Sequence, residues 1–248
     1  MSRESHLGQS QAAKQAIRER VWRQLEAAGA SPLGRAHGRI PDFLGSDQAA
    51  AKLTELPEWQ AARTVNTNPD HAQLPVRALA LREGKQLYMA VPKLAKAQPF
   101  YYFSPDALTV PPEQAVASGN ASAYAPTVDL ADMQPIDLVV CGTVAVNRQG
   151  VRIGKGAGYS DIELALLAEA SLISERTTIV TTVHSLQVVD DDLPHDRHDF
   201  TVDYIVTPQA VIACHNRYRP TGLVWENLSR GQVAAIPVLG EMAKRRGD

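Results

Sequence analysis

The sequence predicts an α/β fold in which helices flank a central, mostly parallel sheet. Segments with strand and helix character alternate through the second half of the chain, which is typical of a doubly wound sheet. The run IDLVVCGTVAV at residues 136–146 is apolar and rich in β-branched side chains, as expected of a strand buried on both faces. The run TTIVTTV at residues 177–183 has the same character.

The composition predicts one globular domain. The chain has 248 residues, of which 44% are hydrophobic and 21% charged, so it is long enough to bury a single core. We expect residues 1–10 to form a flexible tail and residues 11–248 to form the domain. A formal net charge of −2 gives no general attraction to nucleic acid or to a membrane surface.

The cysteines and the first residues predict the compartment. Cys141 and Cys214 belong to no cluster with metal-ligand spacing, which favours a reducing environment. The first residues lack the apolar core of a signal peptide, and no run is long enough to span a membrane. The sequence therefore predicts a soluble, cytoplasmic protein without nucleic-acid or membrane partners, and it leaves the oligomeric state open.

Helices and short strands are predicted before the first long apolar run. An apolar stripe at helical spacing predicts a helix over residues 11–28. Ser46 is placed to act as N-cap of a second helix over residues 47–56. Residues 62–68 have strand character, and residues 75–94 are predicted to form two strands around a Glu-Gly-Lys turn.

A long connection and a glycine loop complete the pattern. Residues 104–135 are rich in Pro, Ser and Ala, which predicts a surface excursion with a short helix near residues 113–117. The later elements are a brief strand at 151–154, a helix at 160–173, a polar loop at 190–199, a strand at 202–207 and a short polar C-terminal end.

The glycine loop is the most informative stretch of the sequence. It contains Gly154, Gly156 and Gly158, and glycines at alternate positions allow backbone amides to close around a phosphate. A helix follows at once, so its unpaired N–H groups and the positive end of its dipole point toward the same place. Arg152 and Lys155 add positive charge.

Other interpretations of this stretch stay open. A strand-to-helix turn, with Ser160 and Glu163 forming a capping box, explains the same residues and is compatible with an anion site. The pattern matches neither G-x-G-x-x-G nor the Walker A motif.

Acidic and basic residues elsewhere are candidates for a metal or nucleotide site. Asp161 and Asp199 have the oxygen ligands that Mg²⁺ prefers, although an acid in the first turn of a helix is the commoner explanation of Asp161. Lys14 and Arg18 share one helix face, which could equally be a solvated basic edge. The histidines at 184, 195 and 198 are better explained as structural or surface residues than as zinc ligands.

Four motifs in order resemble the 5-formyltetrahydrofolate cyclo-ligases, also called methenyltetrahydrofolate synthetases. They are Lys-Gln-Ala-Ile-Arg at 14–18, Val-Pro-Lys at 91–93, Arg-Ile-Gly-x-Gly-x-Gly-Tyr-x-Asp at 152–161, and the acidic loop with its strand at 193–203. Further stretches at 39–43, 183–184, 187–190 and 219–222 resemble the methenyltetrahydrofolate synthase domain-containing subgroup. The family resemblance covers roughly residues 11–208.

This resemblance implies a three-layer, Rossmann-like fold and a reaction. ATP phosphorylates the formyl oxygen of 5-formyltetrahydrofolate, a neighbouring nitrogen attacks, and phosphate leaves to give 5,10-methenyltetrahydrofolate. The small-molecule substrate would be a reduced folate or a related heterocycle, with ATP and Mg²⁺ as cofactors. Lys155 and Arg152 would be catalytic, and Asp161 and Asp199 would bind Mg²⁺. ATP would be held by Lys14, Arg18, Arg152, Gly154, Lys155, Gly156, Gly158 and Tyr159.

The sequence departs from the family pattern in the folate half of the site. Ser160 stands where the family usually has tyrosine, and residues 64–70 lack the family's glutamate, for which Asp70 is the available substitute. Two hypotheses follow: a cyclo-ligase acting on 5-formyltetrahydrofolate, or a paralogue with a retained nucleotide site and either another heterocyclic substrate or a non-catalytic binding role.

Overall fold

The computed structural model describes residues 3–247. The helices are α1 Arg3–Ala27, α2 Ser46–Leu53, α3 Pro57–Ala61, α4 Leu74–Arg82, α5 Pro112–Ala115, α6 Ala121–Tyr124, α7 Tyr159–Glu169, α8 Arg230–Ala235 and α9 Pro237–Arg246. The strands are β1 Thr64–Thr67, β2 Gln86–Ala90, β3 Phe100–Phe103, β4 Thr127–Val128, β5 Leu138–Cys141, β6 Ala145–Asn147, β7 Arg152–Ile153, β8 Thr178–Thr182, β9 Val188–Val189, β10 Tyr204–Val206 and β11 Val211–Ala213.

The main sheet has eight strands in the order β11-β10-β8-β5-β1-β2-β3-β4. Strands β10, β8, β5, β1 and β2 run parallel, whereas β11 at one edge and β3 and β4 at the other are antiparallel. At the centre, Val65 of β1 stands opposite Leu87 of β2 and Leu138 of β5, and all three are fully buried. The predicted α/β class with a mostly parallel central sheet is confirmed.

Helices cover both faces of this sheet because successive strand residues point to opposite sides. Leu138 and Val140 of β5 pack with Trp59 and the other apolar residues of the first helical layer, which is formed by α2 to α6. Val139 and Cys141 point the other way and pack in the cluster that contains residues of α7 and of the C-terminal helix α9. The result is a three-layer arrangement.

A second, three-stranded sheet lies under α1 and positions the glycine loop. Its order is β7-β6-β9, with β6 antiparallel to β7 and parallel to β9. Val21, Trp22 and Leu25 of α1 share a buried cluster with Val144 and Ile153. The N-terminal helix is thereby fixed against the strand that precedes the loop.

Several local predictions about helices were wrong. The first helix begins at Arg3, inside the segment expected to be a tail. Gly45, with a φ of 92°, is the N-cap of α2, and Ser46 is its first helical residue. The segment at 74–82, expected to be a strand, is α4, because Pro75 lies in the first helical turn, where its missing N–H needs no partner, and Ala, Leu and Arg favour helix.

The apolar run at 136–146 contains two strands rather than one. Strand β5 ends at Cys141, the Gly142 N–H donates to Asn68 Oδ1 at 2.8 Å, and the chain continues into the small sheet as β6. Both strands are buried, so the hydrophobic pattern has no break where the chain changes sheets.

The connection at 104–135 is more ordered than the sequence suggested. It forms α5, close to the predicted short helix, and adds α6 and the edge strand β4. Ala115, Val116 and Ala121 are fully buried in the core, so the segment packs against the sheet instead of extending over the surface. The polar residues near the C-terminus belong to α9 as far as Arg246. Among the described helices, none combines the length and apolar character that crossing a bilayer requires.

Candidate active site

The glycine loop connects β7 to α7. Gly156 and Gly158 have φ angles of 100° and 73°, in the left-handed region that favours glycine. Gly158 is the N-cap of α7, and no side chain caps the helix. The predicted capping box is therefore wrong: Ser160 Oγ instead donates to Asn68 Oδ1 at 3.3 Å. The first N–H groups of α7 and the positive end of its dipole consequently lie at the loop.

Two cavities lie on either side of this loop and share Gly156, Ala157 and Gly158. The first cavity, of about 450 Å³, is lined by the loop, by Asp161 and His198, and by the C-terminal segment at 222–232. The second cavity, of about 470 Å³, is lined by the loop together with residues 68–71, 90–94 and the arginine and lysine of the loop region. The glycine loop thus forms a wall common to both cavities.

The first turns of α7 present different side chains to each cavity. Asp161, Ile162 and Ala165 line the first cavity. Tyr159, Ser160 and Glu163 line the second. Each set has the spacing of one helical face, so the helix that begins at the loop separates the two cavities.

Arg152 and Asp161 form a buried ion pair behind the loop. Arg152 Nη1 lies 3.3 Å from Asp161 Oδ1, and its guanidinium lies over the Phe200 ring at 4.3 Å from the ring centroid. Burial raises the pKa of the Asp161 carboxyl, and the positive charge of Arg152 only partly offsets this effect. The negative member of the pair, Asp161, lines the first cavity, and the positive member, Arg152, lines the second.

The basic residues of α1 reach the same region from the opposite side. Lys14 Nζ donates to Asp196 Oδ2 at 2.7 Å and to Asp199 Oδ2 at 2.6 Å, and all three side chains are buried. Arg18 Nε donates to the Gly154 carbonyl at 2.7 Å, and burial lowers the pKa of this guanidinium. These contacts join α1 to the glycine loop and to the acidic loop.

Charged and strained residues surround the mouth of the second cavity. Lys155 Nζ lies 3.2 Å from Asp70 Oδ1. Lys93 and Leu94 both have positive φ angles, of 61° and 52°, although neither is glycine. Backbone strain of this kind costs about 1–3 kcal/mol per residue and concentrates at functional sites.

Glu163 is the acid at the floor of the second cavity. Its Oε1 accepts from Asn66 Nδ2 at 2.8 Å and its Oε2 accepts from Asn68 Nδ2 at 2.7 Å. Only 2% of the residue is exposed. Burial raises the pKa of Glu163 to about 8, because the two amide hydrogen bonds do not compensate for the loss of water.

The structure brings most of the predicted site residues together at the two cavities. Arg152, Gly154, Lys155 and Tyr159 line the second cavity, Asp161 lines the first, and Gly156 and Gly158 line both. The remaining predicted residues, Lys14, Arg18 and Asp199, form the adjoining buried network and, within residues 3–247, line neither of the two cavities.

Some cavity residues were missed in the sequence analysis. Glu163 was interpreted only as part of a cap, and the signal that could have identified it is an acid at the fifth position of a helix otherwise rich in Leu and Ala. Asn66 and Asn68 alternate along β1 and its end, so their side chains point the same way, toward Glu163. The C-terminal segment at 222–232 has no periodic pattern that would have indicated a cavity wall.

The fold and the site define an α/β protein with two cavities side by side on one glycine loop. The sequence pattern of the 5-formyltetrahydrofolate cyclo-ligase family matches residues 10–208, and the chain belongs to this family.

Named relatives agree with this assignment, and a solved structure shares the fold. The chain is 38% identical over 243 residues to a methenyltetrahydrofolate synthase domain-containing protein of Mus musculus, covering 94% of this chain and 63% of the relative. The protein of the same name from Homo sapiens is 35% identical over 244 residues, covering 94% and 62%. The chain thus spans about three fifths of the length of these relatives. The 5,10-methenyltetrahydrofolate synthetase of Aquifex aeolicus has a similar fold, with a TM-score of 0.53 at 22% identity over 83% of this chain and 94% of that one.

Proposed function

We propose that this chain converts 5-formyltetrahydrofolate to 5,10-methenyltetrahydrofolate in a reaction that consumes ATP and requires Mg²⁺. The observation that carries the proposal is the pair of cavities that share one glycine loop. A phosphoryl transfer between two bound ligands needs a phosphate-binding loop that both ligands reach. Family membership supports the folate substrate.

The residues around the first cavity fit a nucleotide with its metal ion. Loop amides and the N-terminus of α7 suit phosphate oxygens. Asp161 lines this cavity with a carboxylate, and its side chain is 17% exposed. Within residues 3–247 no three His, Cys, Asp or Glu side chains form a metal site by themselves, so Mg²⁺ would use Asp161 together with phosphate oxygens. The metal supplies charge neutralisation of the phosphates.

Asp199 and Lys14 support this site from behind. Lys14 Nζ donates to Asp199 Oδ2 at 2.6 Å, so the two side chains occupy each other. For Lys14 to bind ATP and Asp199 to bind Mg²⁺ directly, as predicted, this contact would have to break. Otherwise the two residues act on the ligands only through the groups around them. In the arrangement observed, the pair orients the acidic loop that carries His198 into the first cavity.

The chemistry requires positioning and charge compensation more than covalent help from the protein. The formyl oxygen is a poor leaving group, and its phosphorylation makes it a good one before the neighbouring nitrogen attacks the formyl carbon. Arg152 and Lys155 would neutralise the negative charge of the transferred phosphoryl group, because both line the second cavity beside the loop. The loop glycines permit the close approach of the phosphate to the backbone.

The test follows the absorbance of the methenyl product. Protein, MgATP and 5-formyltetrahydrofolate should give product, and omitting ATP should abolish it. Asp161→Asn should lower turnover by about 100-fold or more, since it removes a charge that the reaction needs, while Asp132→Asn at an exposed acid should leave turnover unchanged. A variant at Asp161 with full activity contradicts the assignment.

A second candidate, a paralogue acting on another heterocycle, is favoured by one observation. The second cavity has Ser160 bonded to Asn68 and places its buried acid on α7, at Glu163. A protein that binds MgATP but gives a flat trace with 5-formyltetrahydrofolate would support this alternative.

A further inference from the structure

Glu163 is a buried acid whose position the reaction above does not explain. It lines the second cavity, where the substrate would lie under the proposed function, on which this inference rests. Within residues 3–247 no lysine, arginine or histidine forms an ion pair with it. A buried carboxylate without a cation is costly, so it requires a compensating partner.

The two asparagines that hold Glu163 fix the direction of its oxygens. The Asn68 Oδ1 accepts from the Gly142 N–H at 2.8 Å and from Ser160 Oγ at 3.3 Å. Its amide therefore cannot turn over without losing both bonds, and its Nδ2 must donate to Glu163, at 2.7 Å. Asn66 holds the other oxygen at 2.8 Å.

This arrangement leaves acceptor capacity on both oxygens. A carboxylate offers about four lone-pair sites, and the two amides occupy one on each oxygen. One site on each oxygen of the ionised group remains for a ligand in the cavity. Burial raises the pKa of Glu163 to about 8, and two N–H donors from a ligand would lower it again, because hydrogen bonds to the charged form of a carboxyl favour that form. Asp70, the other acid lining this cavity, is already paired with Lys155 at 3.2 Å, so Glu163 is the better candidate.

We propose that Glu163 determines substrate specificity by binding two adjacent N–H groups on the edge of a planar heterocycle. The cyclic guanidine edge of a 2-amino-4-oxopyrimidine ring has this chemistry: a ring N–H beside an exocyclic amino group. Two parallel N–H donors match two carboxylate oxygens in the same way as a guanidinium group does. A ring with oxygen in place of the amino group presents an acceptor to an acceptor and is rejected.

A pair of small ligands tests the proposal directly. 6-Methylpterin carries the amino group, and 6-methyllumazine carries oxygen at the same ring position. Binding of each to the full chain, measured by titration calorimetry without nucleotide, should favour 6-methylpterin by at least about tenfold, because a mismatched buried hydrogen-bonding group is strongly disfavoured.

The variant Glu163→Gln gives the decisive readout. Glutamine offers one acceptor and one donor, which matches the ring N–H and carbonyl of 6-methyllumazine, so the preference should invert. The Asn66 amide faces Glu163 with its Nδ2, and it can turn over to accept from the new amide, because its buried Oδ1 has no partner to lose in the described structure. Glu175→Gln, at an exposed glutamate, should keep the parent preference. If Glu163 only joined α7 to β1 through its hydrogen bonds to the two asparagines, Glu163→Gln would change the affinity for both ligands by the same factor.

The outcomes separate this inference from the proposed function. Equal affinities in the parent, no binding of either ligand, or an unchanged preference in a folded Glu163→Gln variant would overturn the role of Glu163. Turnover of 5-formyltetrahydrofolate together with any of these results leaves the proposed function standing. A preference for 6-methylpterin that inverts in the variant, without turnover, supports the role of Glu163 and overturns the proposed substrate.

Discussion

Replacing Lys14 with methionine tests the buried ion cluster that links α1 to the acidic loop. The side chains of Lys14, Asp196 and Asp199 are 5%, 8% and 9% exposed, so removing the cation leaves two buried carboxylates without their partner. Breaking a buried pair in this way costs about 3–5 kcal/mol. In a chain of this size, each kcal/mol lowers Tm by about 2–4 °C, so we expect a fall of about 6–20 °C.

The pH dependence gives the sign of this effect. Burial raises the pKa of Asp196, but its hydrogen bond to Lys14 and the charge of Lys14 together bring it below its ordinary value. Stability from a carboxyl with a lowered pKa is present above the unfolded-state pKa and is lost as pH falls. The difference between Lys14→Met and the parent should therefore be retained from pH 7 down to the ordinary carboxyl pKa of 3.8 and shrink as the pH falls below that value.

Urea unfolding followed by circular dichroism measures both quantities. Arg20→Met is the matched control, because Arg20 lies on the same helix and pairs with Asp191 while 41% exposed. An exposed pair contributes about 0–1 kcal/mol. If Lys14→Met at pH 7 is no more destabilising than Arg20→Met, the cluster does not stabilise the fold as argued.

Three further predictions concern the loop, the second cavity and the thiols. Because burial raises the pKa of Glu163 from 4.5 to about 8, the folded state loses up to about 5 kcal/mol relative to the unfolded state as pH rises across this range. Glu163→Gln should raise Tm at pH 8 and hardly change it at pH 4.5, and equal shifts would contradict this reasoning. Gly156→Ala should weaken MgATP binding at least about tenfold in calorimetry, because φ is 100° and the new Cβ would lie 3.3 Å from Arg18 Cζ; unchanged affinity would exclude the loop from the site. Burial raises the pKa of Cys141 and, to about 11, that of Cys214, so neither thiol should react with Ellman's reagent at pH 7.5 until the chain unfolds.

The sequence predicted several strands of the central sheet well because they are rich in β-branched side chains. Strands β1, β8 and β10 lie inside the segments expected for them, and the helix after the glycine loop begins at Tyr159. The failures have local causes. In the segment that became α4, Pro75 in the first turn and the helix preference of Ala, Leu and Arg outweigh the hairpin-like Glu-Gly-Lys turn that follows, which had suggested two strands.

The candidate site was predictable in its loop and not in its pocket walls. Glycine spacing and adjacent charge identified the loop at 152–161 because backbone geometry there depends on residue type. The contact between Glu163 and Asn68 joins residues that are 95 positions apart, so no local pattern encodes it. The contact of Lys14 with Asp199, 185 positions apart, is of the same kind. The sequence alone therefore could not show that the Lys14 ammonium is already bound to a carboxylate.

The first cavity is closed by parts of the chain that are far apart in sequence. Gly8 and Gln11 of α1 lie on it together with residues 222–232, which follow the stretch matched by the family. A ligand in this cavity would bind fully only when both segments are docked, so its apparent affinity would include the free energy of docking them. The two segments can also diverge without disturbing the sheet, which lets ligand preference change while the scaffold stays constant.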